Sequence, residues 1–211
     1  MPSAHTLSLF FVAAFVLAVT PGPGLLYIAS RTLAAGRADG FASSLGTMLG
    51  GLVHVLAAAI GVSALVMASA AAFTALKLVG GLYLIYLGVQ MWRSASASVP
   101  AFERDADGGV RRAFQQGVLV EATNPKTAAF FLALIPQFVD LAQGLVALQF
   151  VVLGLISIIL NTVMAFLVVL ATSAARHRFT LDAHVVRRLR QGSGAVLAGL
   201  GVSLLLVRRP A

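Results

Sequence analysis

The sequence predicts an all-α integral membrane protein, and two observations lead to that class. The 211 residues are 59% hydrophobic and only 10% charged, with a mean hydropathy of +0.95, which is more apolar surface than a water-soluble domain buries. Apolar runs long enough to cross the roughly 30 Å hydrocarbon layer recur along the chain. Because a backbone that faces lipid must satisfy its own hydrogen bonds, each run is expected to be a helix.

Six apolar stretches are predicted to be transmembrane helices. The first begins without Lys or Arg and lacks a small-residue cleavage site, so we interpret it as a retained helix rather than a signal peptide. The whole chain, 1–211, is then predicted to be one transmembrane domain. The six stretches lie at 6–28, 41–67, 73–92, 113–138, 145–171 and 192–207.

The distribution of arginine predicts the orientation in the membrane. The connections 29–40, 93–112 and 172–191 hold two, four and five arginines, whereas the opposite face holds only Arg208 and Arg209. By the positive-inside rule the three arginine-rich connections are cytoplasmic. We therefore expect a multi-pass protein of the cell inner membrane with both termini on the extracytoplasmic side.

The chain divides into two halves at 93–112. This connection mixes arginines with acidic residues and contains Gly and Pro, which is typical of a solvated cytoplasmic linker. Repeat one would cover about 6–92 and repeat two about 113–207. Each half has three spans, and an odd number gives the second half the opposite orientation in the membrane. The predicted fold is therefore six transmembrane helices arranged as two inverted three-helix repeats.

The first helix of each half is interrupted well inside its apolar run. Proline removes a backbone donor and glycine permits unusual dihedrals, so each interruption is predicted to end one helix and begin another. After the first break, free amides near Gly24 and Leu25 would attract an anion inside the membrane. A simple proline kink is the alternative, but paired interruptions favour the central site of a transporter. The breaks are Thr20-Pro21-Gly22-Pro23-Gly24 and Asn124-Pro125-Lys126.

Three stretches carry a family resemblance. They are "TPGPG" in the first span, "KLVGGLYLIYLGVQMWR" in the third and "NPKTAAFFLALIPQFV" in the fourth. Together they resemble the lysine exporter (LysE/RhtB) family of amino-acid efflux permeases, and the match covers the whole chain. The resemblance implies secondary export of amino acids or close derivatives, driven by the proton gradient.

The sequence is less consistent with two other classes of function. A permease for a metal or another small ion is the alternative, although the chain has no cysteine and its spans offer one candidate histidine and one carboxylate, which is no obvious coordination set. The spans contain no HExxH, no GxSxG and no paired carboxylates, so we do not expect an enzyme. Neither a cofactor nor a bound metal is predicted.

Ionisable side chains inside the spans are functional candidates, because charges are costly in lipid. Lys126 lies about 13 residues, or roughly 20 Å, into its span and is predicted to bind the substrate carboxylate; a structural pair with Glu121 is the alternative. Glu121 is the candidate for binding the substrate ammonium or carrying the coupling proton. His54 and Lys77 are further proton-coupling candidates. A histidine bonded to a carbonyl and a lysine extending to the interface are their alternatives.

Two polar residues complete the predicted site. Asn161, midway through the fifth span, would line a cavity or join two helices. Tyr83 shares a helix face with Tyr86, where packing and a substrate-facing hydroxyl both remain open. The predicted substrate-binding residues are Thr20, Pro21, Gly22, Pro23, Gly24, Tyr83, Asn124, Pro125, Lys126 and Asn161.

The expected partners are a small-molecule substrate, an amino acid, and membrane lipid. The arginines behind the net charge of +8 lie in short connections rather than on one basic domain, so no nucleic acid is expected. Several glycines permit close helix approach, either within the chain or between two copies. The pattern therefore allows a homodimer; the glycines are those at 46, 50, 80, 81, 199 and 201.

Overall fold

The computed structural model describes residues 2–96, 109–175 and 183–206, and these ranges are helical apart from short turns. Most of the predicted linker, 97–108, lies outside the described residues. The α-helices are α1 (Ala4–Val19), α2 (Pro23–Ala35), α3 (Arg37–Ala57), α4 (Ser63–Ala68), α5 (Ala70–Arg93), α6 (Gly109–Ala122), α7 (Pro125–Ala129), α8 (Val146–Ala175) and α9 (Ala183–Leu206).

In the described part of the chain, five continuous helical segments have the length and composition of membrane spans. A π-helical turn, Ala58–Val62, joins α3 to α4 without a break, and another, Phe130–Leu134, follows α7. Helices α1 and α2 form a sixth span that is broken and bent by 44°. The prediction of an all-α membrane fold with a broken first span is confirmed. The five continuous candidates are Arg37–Ala68, Ala71–Arg93, Gly109–Phe138, Val146–Ala174 and Arg187–Leu206.

The predicted connection 29–40 is wrong as a loop. Helix α2 runs to Ala35 and α3 begins at Arg37, so one residue separates them. That residue, Gly36, has φ 99°, in the region that favours glycine. A hydropathy pattern places the end of a span at the first polar residues. The helix itself can continue through polar residues when these are paired inside the protein.

The packing of the helices relates the two halves. Helix α3 of the first half packs along α6 of the second, and α8 of the second packs on both α1 and α2 of the first. Helix α5 packs along α9. Exchanging the halves turns the first contact into the second and leaves the third unchanged. This is the pattern that two inverted repeats produce.

Two apolar clusters lie at different levels of the bundle. The larger contains Phe10, Phe130 and Phe150, each no more than 1% exposed. The smaller contains Tyr27 and Val169, which are fully buried between α2 and α8. Residues of both clusters, among them Ile28 and Phe131, line the cavity described below.

Glycines bring helix backbones together, both at several of the predicted positions and at Gly88 and Gly194. A Cβ added at Gly88 on α5 would lie 2.5 Å from the carbonyl oxygen of Gly194 on α9, and the reverse distance is also 2.5 Å. Gly46, Gly50, Gly80, Gly81 and Gly201 likewise face neighbouring helices of the same chain. Gly199 has no atom within 4 Å of its added Cβ. Five of the six predicted glycines therefore serve packing within one chain.

The contact between α5 and α9 predicts a large effect of Gly88→Val. The branched side chain cannot fit against the Gly194 backbone, so we expect overpacking to cost about 1–3 kcal/mol of stability. Thermal unfolding of the purified protein in detergent measures the cost. Gly199→Val is the matched control, because that position is open. Equal unfolding temperatures for the two variants would contradict this packing.

Candidate functional site

The two helix breaks have nearly the same backbone conformation. Thr20 has φ −70° and ψ 112°, and Asn124 has φ −71° and ψ 112°. Each precedes a proline, whose ring excludes the helical region for the residue before it. Thr20-Pro21 and Asn124-Pro125 therefore interrupt their spans in the same way, as the sequence predicts.

The first break frees carbonyl groups at the end of α1. In a continuous helix the Leu17 carbonyl would accept the N–H of residue 21, which proline lacks. Thr20 satisfies part of the deficit: its hydroxyl donates to Val16 O at 2.6 Å, and its N–H lies 3.2 Å from Leu17 O. Lys126 Nζ donates to Leu17 O at 3.0 Å and to Thr20 O at 2.9 Å. A side chain of the second break thus completes the first.

Lys126 is buried between the two breaks. The residue is 6% exposed, and its alkyl chain passes over Gly22, where an added Cβ would lie 3.1 Å from both Cδ and Cε. Lys126 and Glu121 are both among the described residues, and their side chains form no ion pair within 4.0 Å. The alternative of a direct Lys126–Glu121 ion pair is therefore not what the structure shows.

The carboxylate of Glu121 is held by the second break. Thr127 Oγ1 donates to Glu121 Oε1 at 2.6 Å, and Asn124 Nδ2 donates to Oε2 at 2.9 Å. Asn124 Oδ1 also accepts the Lys126 N–H at 3.0 Å and so caps α7. A Cβ on Gly24 would lie 2.6 Å from Oε2. The carboxylate thus lies beside the start of α2, where a helix has amides without acceptors.

His54 of the first half completes the second break. Pro125 lacks the N–H that the Glu121 carbonyl would accept, and His54 Nε2 lies 2.8 Å from that oxygen. A carbonyl can only accept, so Nε2 carries a hydrogen. This is the carbonyl-bonded position that the sequence left open for His54. A role in proton coupling stays a prediction.

A cavity of about 40 Å³ lies between the two breaks, α3 and α8. One ordered water needs roughly 10–15 Å³, so the space admits small polar groups. Six of the predicted residues line it: Gly22, Gly24, Glu121, Asn124, Lys126 and Asn161. The sequence did not identify four further polar lining residues: Thr47, Thr127, Ser157 and Thr162.

The structure separates the remaining predicted residues from the cavity. Thr20, Pro21, Pro23 and Pro125 shape the backbone of the breaks without lining the space. Lys77 and Tyr83 lie on α5 outside the cavity lining. Tyr83 is 38% exposed and stacks on Tyr86 with ring centroids 6.2 Å apart, which is the packing role of the two left open.

The cavity wall on α8 had one signal in the sequence. Ser157 and Asn161 are four residues apart and so share a helix face. Asn161 Nδ2 donates to Ser157 O at 2.9 Å.

In the part of the chain that the structure describes, no three His, Asp or Glu side chains cluster as a metal site would require.

A buried ion pair joins α2 to α3 beyond the cavity. Arg31 Nη2 lies 2.7 Å from Asp39 Oδ2, and the two residues are 4% and 6% exposed. Nearby, the Tyr27 hydroxyl donates to Ala113 O at 2.8 Å and so ties α2 to α6. The sequence missed this pair because both residues fell in 29–40, which was predicted to be a cytoplasmic connection between two spans. The pair holds the Gly36 end of the bundle together.

Breaking that pair is expected to destabilise the protein. Asp39→Asn leaves the Arg31 guanidinium charged, buried and unpaired, which costs about 3–5 kcal/mol. Arg37→Gln is the control, because it removes an arginine of the same connection that is exposed and whose Nε donates to Ser173 Oγ. Unfolding temperatures in detergent compare the two. If Asp39→Asn and Arg37→Gln lowered the unfolding temperature equally, burial of the ion pair would be unimportant for stability.

A cavity that contains ionisable side chains, between two broken spans at the contact of the two halves of the chain, is typical of a membrane transporter. The comparison with known proteins is specific: the chain belongs to the family described as LysE type translocator, whose model matches residues 15–208. The resemblance found in the sequence is thereby confirmed.

Relatives of this chain include proteins named for amino-acid efflux. A homoserine/homoserine lactone efflux protein of Salmonella typhimurium is 32% identical, over 73% of this chain and 74% of its own. A threonine efflux protein of Salmonella typhi is 28% identical, over 96% of this chain and 100% of its own. An uncharacterized membrane protein of Vibrio cholerae is 30% identical, over 95% and 96%. No solved structure matches the chain.

Proposed function

We propose that this chain is a secondary active exporter of amino acids across the cytoplasmic membrane. The observation that carries the proposal is the meeting of the two helix breaks at a cavity lined by one carboxylate, of Glu121, and one ammonium group, of Lys126. A zwitterionic amino acid carries one charge of each sign. Complementary charges in a site with little water fix both the position and the orientation of such a substrate.

Glu121 is assigned to the substrate ammonium. Its carboxylate accepts one hydrogen bond at each oxygen, from Thr127 and Asn124. An ionised carboxylate has about four acceptor sites, so capacity for an ammonium group remains. Thr127 and Asn124 hold the carboxylate in place without neutralising it.

Lys126 and the start of α2 are assigned to the substrate carboxylate. Two of the three hydrogens of the ammonium group are used by Leu17 O and Thr20 O. The third is available to a ligand in the cavity. The amides of Gly24 and Leu25 begin α2 without acceptors in their own helix, and a helix N-terminus favours an anion.

We further propose that the substrate is a short amino acid with a hydroxyl group. The wall on α8 presents Ser157, Asn161 and Thr162. Asn161 uses its amide N–H toward Ser157, which leaves its carbonyl oxygen to accept a hydroxyl hydrogen. The relatives named for homoserine and threonine efflux support the same class.

The driving force in this proposal is the proton gradient. A proton on Glu121 and the ammonium of a substrate compete for the same carboxylate, so the two cannot be carried in the same direction at once. Mutually exclusive binding at one site produces exchange. The arginine distribution supports an inner-membrane protein with both termini outside. As an exporter, it would take its substrate from the cytoplasm.

Everted membrane vesicles test the proposal. Vesicles with an acidic lumen and no ATP are expected to take up labelled threonine, and a protonophore is expected to abolish the uptake. Uptake that survives the protonophore would exclude proton exchange. No uptake of any amino acid would exclude the function itself.

The Glu121 assignment predicts that Glu121→Gln loses transport. The substitution keeps the size of the side chain and removes its charge, and a charge-assisted hydrogen bond is worth about 1.5–3 kcal/mol. We expect at least a tenfold lower initial uptake rate at equal amounts of inserted protein. Asp140→Asn makes the same chemical change outside the cavity lining and should transport normally. Normal uptake by Glu121→Gln would refute the assignment.

The Asn161 assignment predicts a change in selectivity. Threonine and valine have the same shape and differ in a hydroxyl group, and Asn161→Leu removes the polar partner for that group. The preference for threonine over valine should fall about fivefold or more, since a lost hydrogen bond costs about 1 kcal/mol or more. Competition between the two amino acids for uptake measures the ratio. Thr123→Val, which removes an exposed hydroxyl, should leave the ratio unchanged.

A further inference from the structure

We infer that the carbonyl oxygens at the end of α1 form a monovalent cation site, and that Lys126 fills this site with its own ammonium group. The site is made by Leu17 O and Thr20 O, which lie 3.0 and 2.9 Å from Lys126 Nζ. It is distinct from the carboxylate of Glu121 that faces a substrate. The inference does not depend on which molecule the cavity binds.

The chemistry of the two oxygens selects a cation. Pro21 removes the N–H that Leu17 O would accept, and Thr20 O lies at the break itself, where α1 has ended and α2 begins only at Pro23. The C-terminal end of a helix carries a partial negative charge. Inside a membrane, carbonyls in this position need a donor because water is scarce. A cation with N–H groups meets both requirements.

The hydrogen bonds of the ammonium group go to the helix end rather than to a carboxylate. No carboxylate lies within 4.0 Å of Lys126 Nζ in the described residues. The nearby carboxylate of Glu121 is held by Thr127 and Asn124 instead. The two carbonyl groups therefore hold the ammonium, and a free ammonium ion of similar size would find the same partners.

The cation and its site belong to different halves of the protein. Lys126 follows the break in the second half, and its chain reaches α1 by passing over Gly22 of the first half, where a side chain would crowd it. A movement that separates the halves must withdraw the ammonium from Leu17 O and Thr20 O. Lys126 is thus a positioning residue that joins the two breaks in this conformation.

Vacating the site provides the test. Purified Lys126→Ala should be less stable than the wild type, and methylammonium chloride should raise its unfolding temperature by about 2–4 °C. Methylammonium has three N–H donors, whereas tetramethylammonium has none and should not stabilise the variant at equal ionic strength. The two salts should have equal effects on the unfolding temperature of the wild type, because Lys126 fills its site.

Lys77→Ala is the matched control, because it truncates the other lysine of the described spans at a position outside the cavity lining. It should not respond selectively to methylammonium. Should Lys126→Ala fold poorly, the yield of folded protein extracted with each salt present gives the same comparison. An equal response of the two variants, or of Lys126→Ala to the two salts, would overturn the inference. Because no substrate is used, this result is separate from any failure of amino-acid transport.

Discussion

The structure depends on one constraint: a carbonyl group freed by a helix break inside the membrane must find a donor. Leaving it unsatisfied costs several kcal/mol in hydrocarbon. Prolines at 21 and 125 free the carbonyls of Leu17 and Glu121, and the donors are Lys126 and His54. The requirement for donors therefore decides which side chains gather at the centre of the protein.

Each break is completed by the other half of the chain. Lys126 of the second half bonds to the end of α1, and His54 of the first half bonds to the end of α6. Backbone N–H groups of the same half also reach the freed carbonyls, but the side-chain donor comes from the other half in both breaks, so the polar centre is complete only when the halves are packed together. A site with this reciprocal dependence is sensitive to any movement between the halves, which is what alternating access to a central site requires.

Two pairs of charged side chains among the described residues differ in the kind of partner they bond. Arg31 and Asp39 form a buried pair between α2 and α3, and this pair holds helices together away from the cavity. Glu121 and Lys126 lie at the cavity and are bonded to neutral groups instead. Charges that are not bonded to each other keep their capacity to bind a ligand, because a direct ion pair would neutralise both.

The sequence by itself determined the membrane class, the two breaks and the residues Glu121, Asn124, Lys126 and Asn161, because hydropathy and proline chemistry are local properties. Only the tertiary structure decided that Lys126 bonds to α1 and that Tyr83 lies outside the cavity. Such facts depend on helix rotation and on contacts between residues more than a hundred positions apart. The ion pair of Arg31 with Asp39 joins residues only eight positions apart. The sequence did not indicate it because burial, which decides whether charged residues pair or are solvated, depends on the packing of the helices around them.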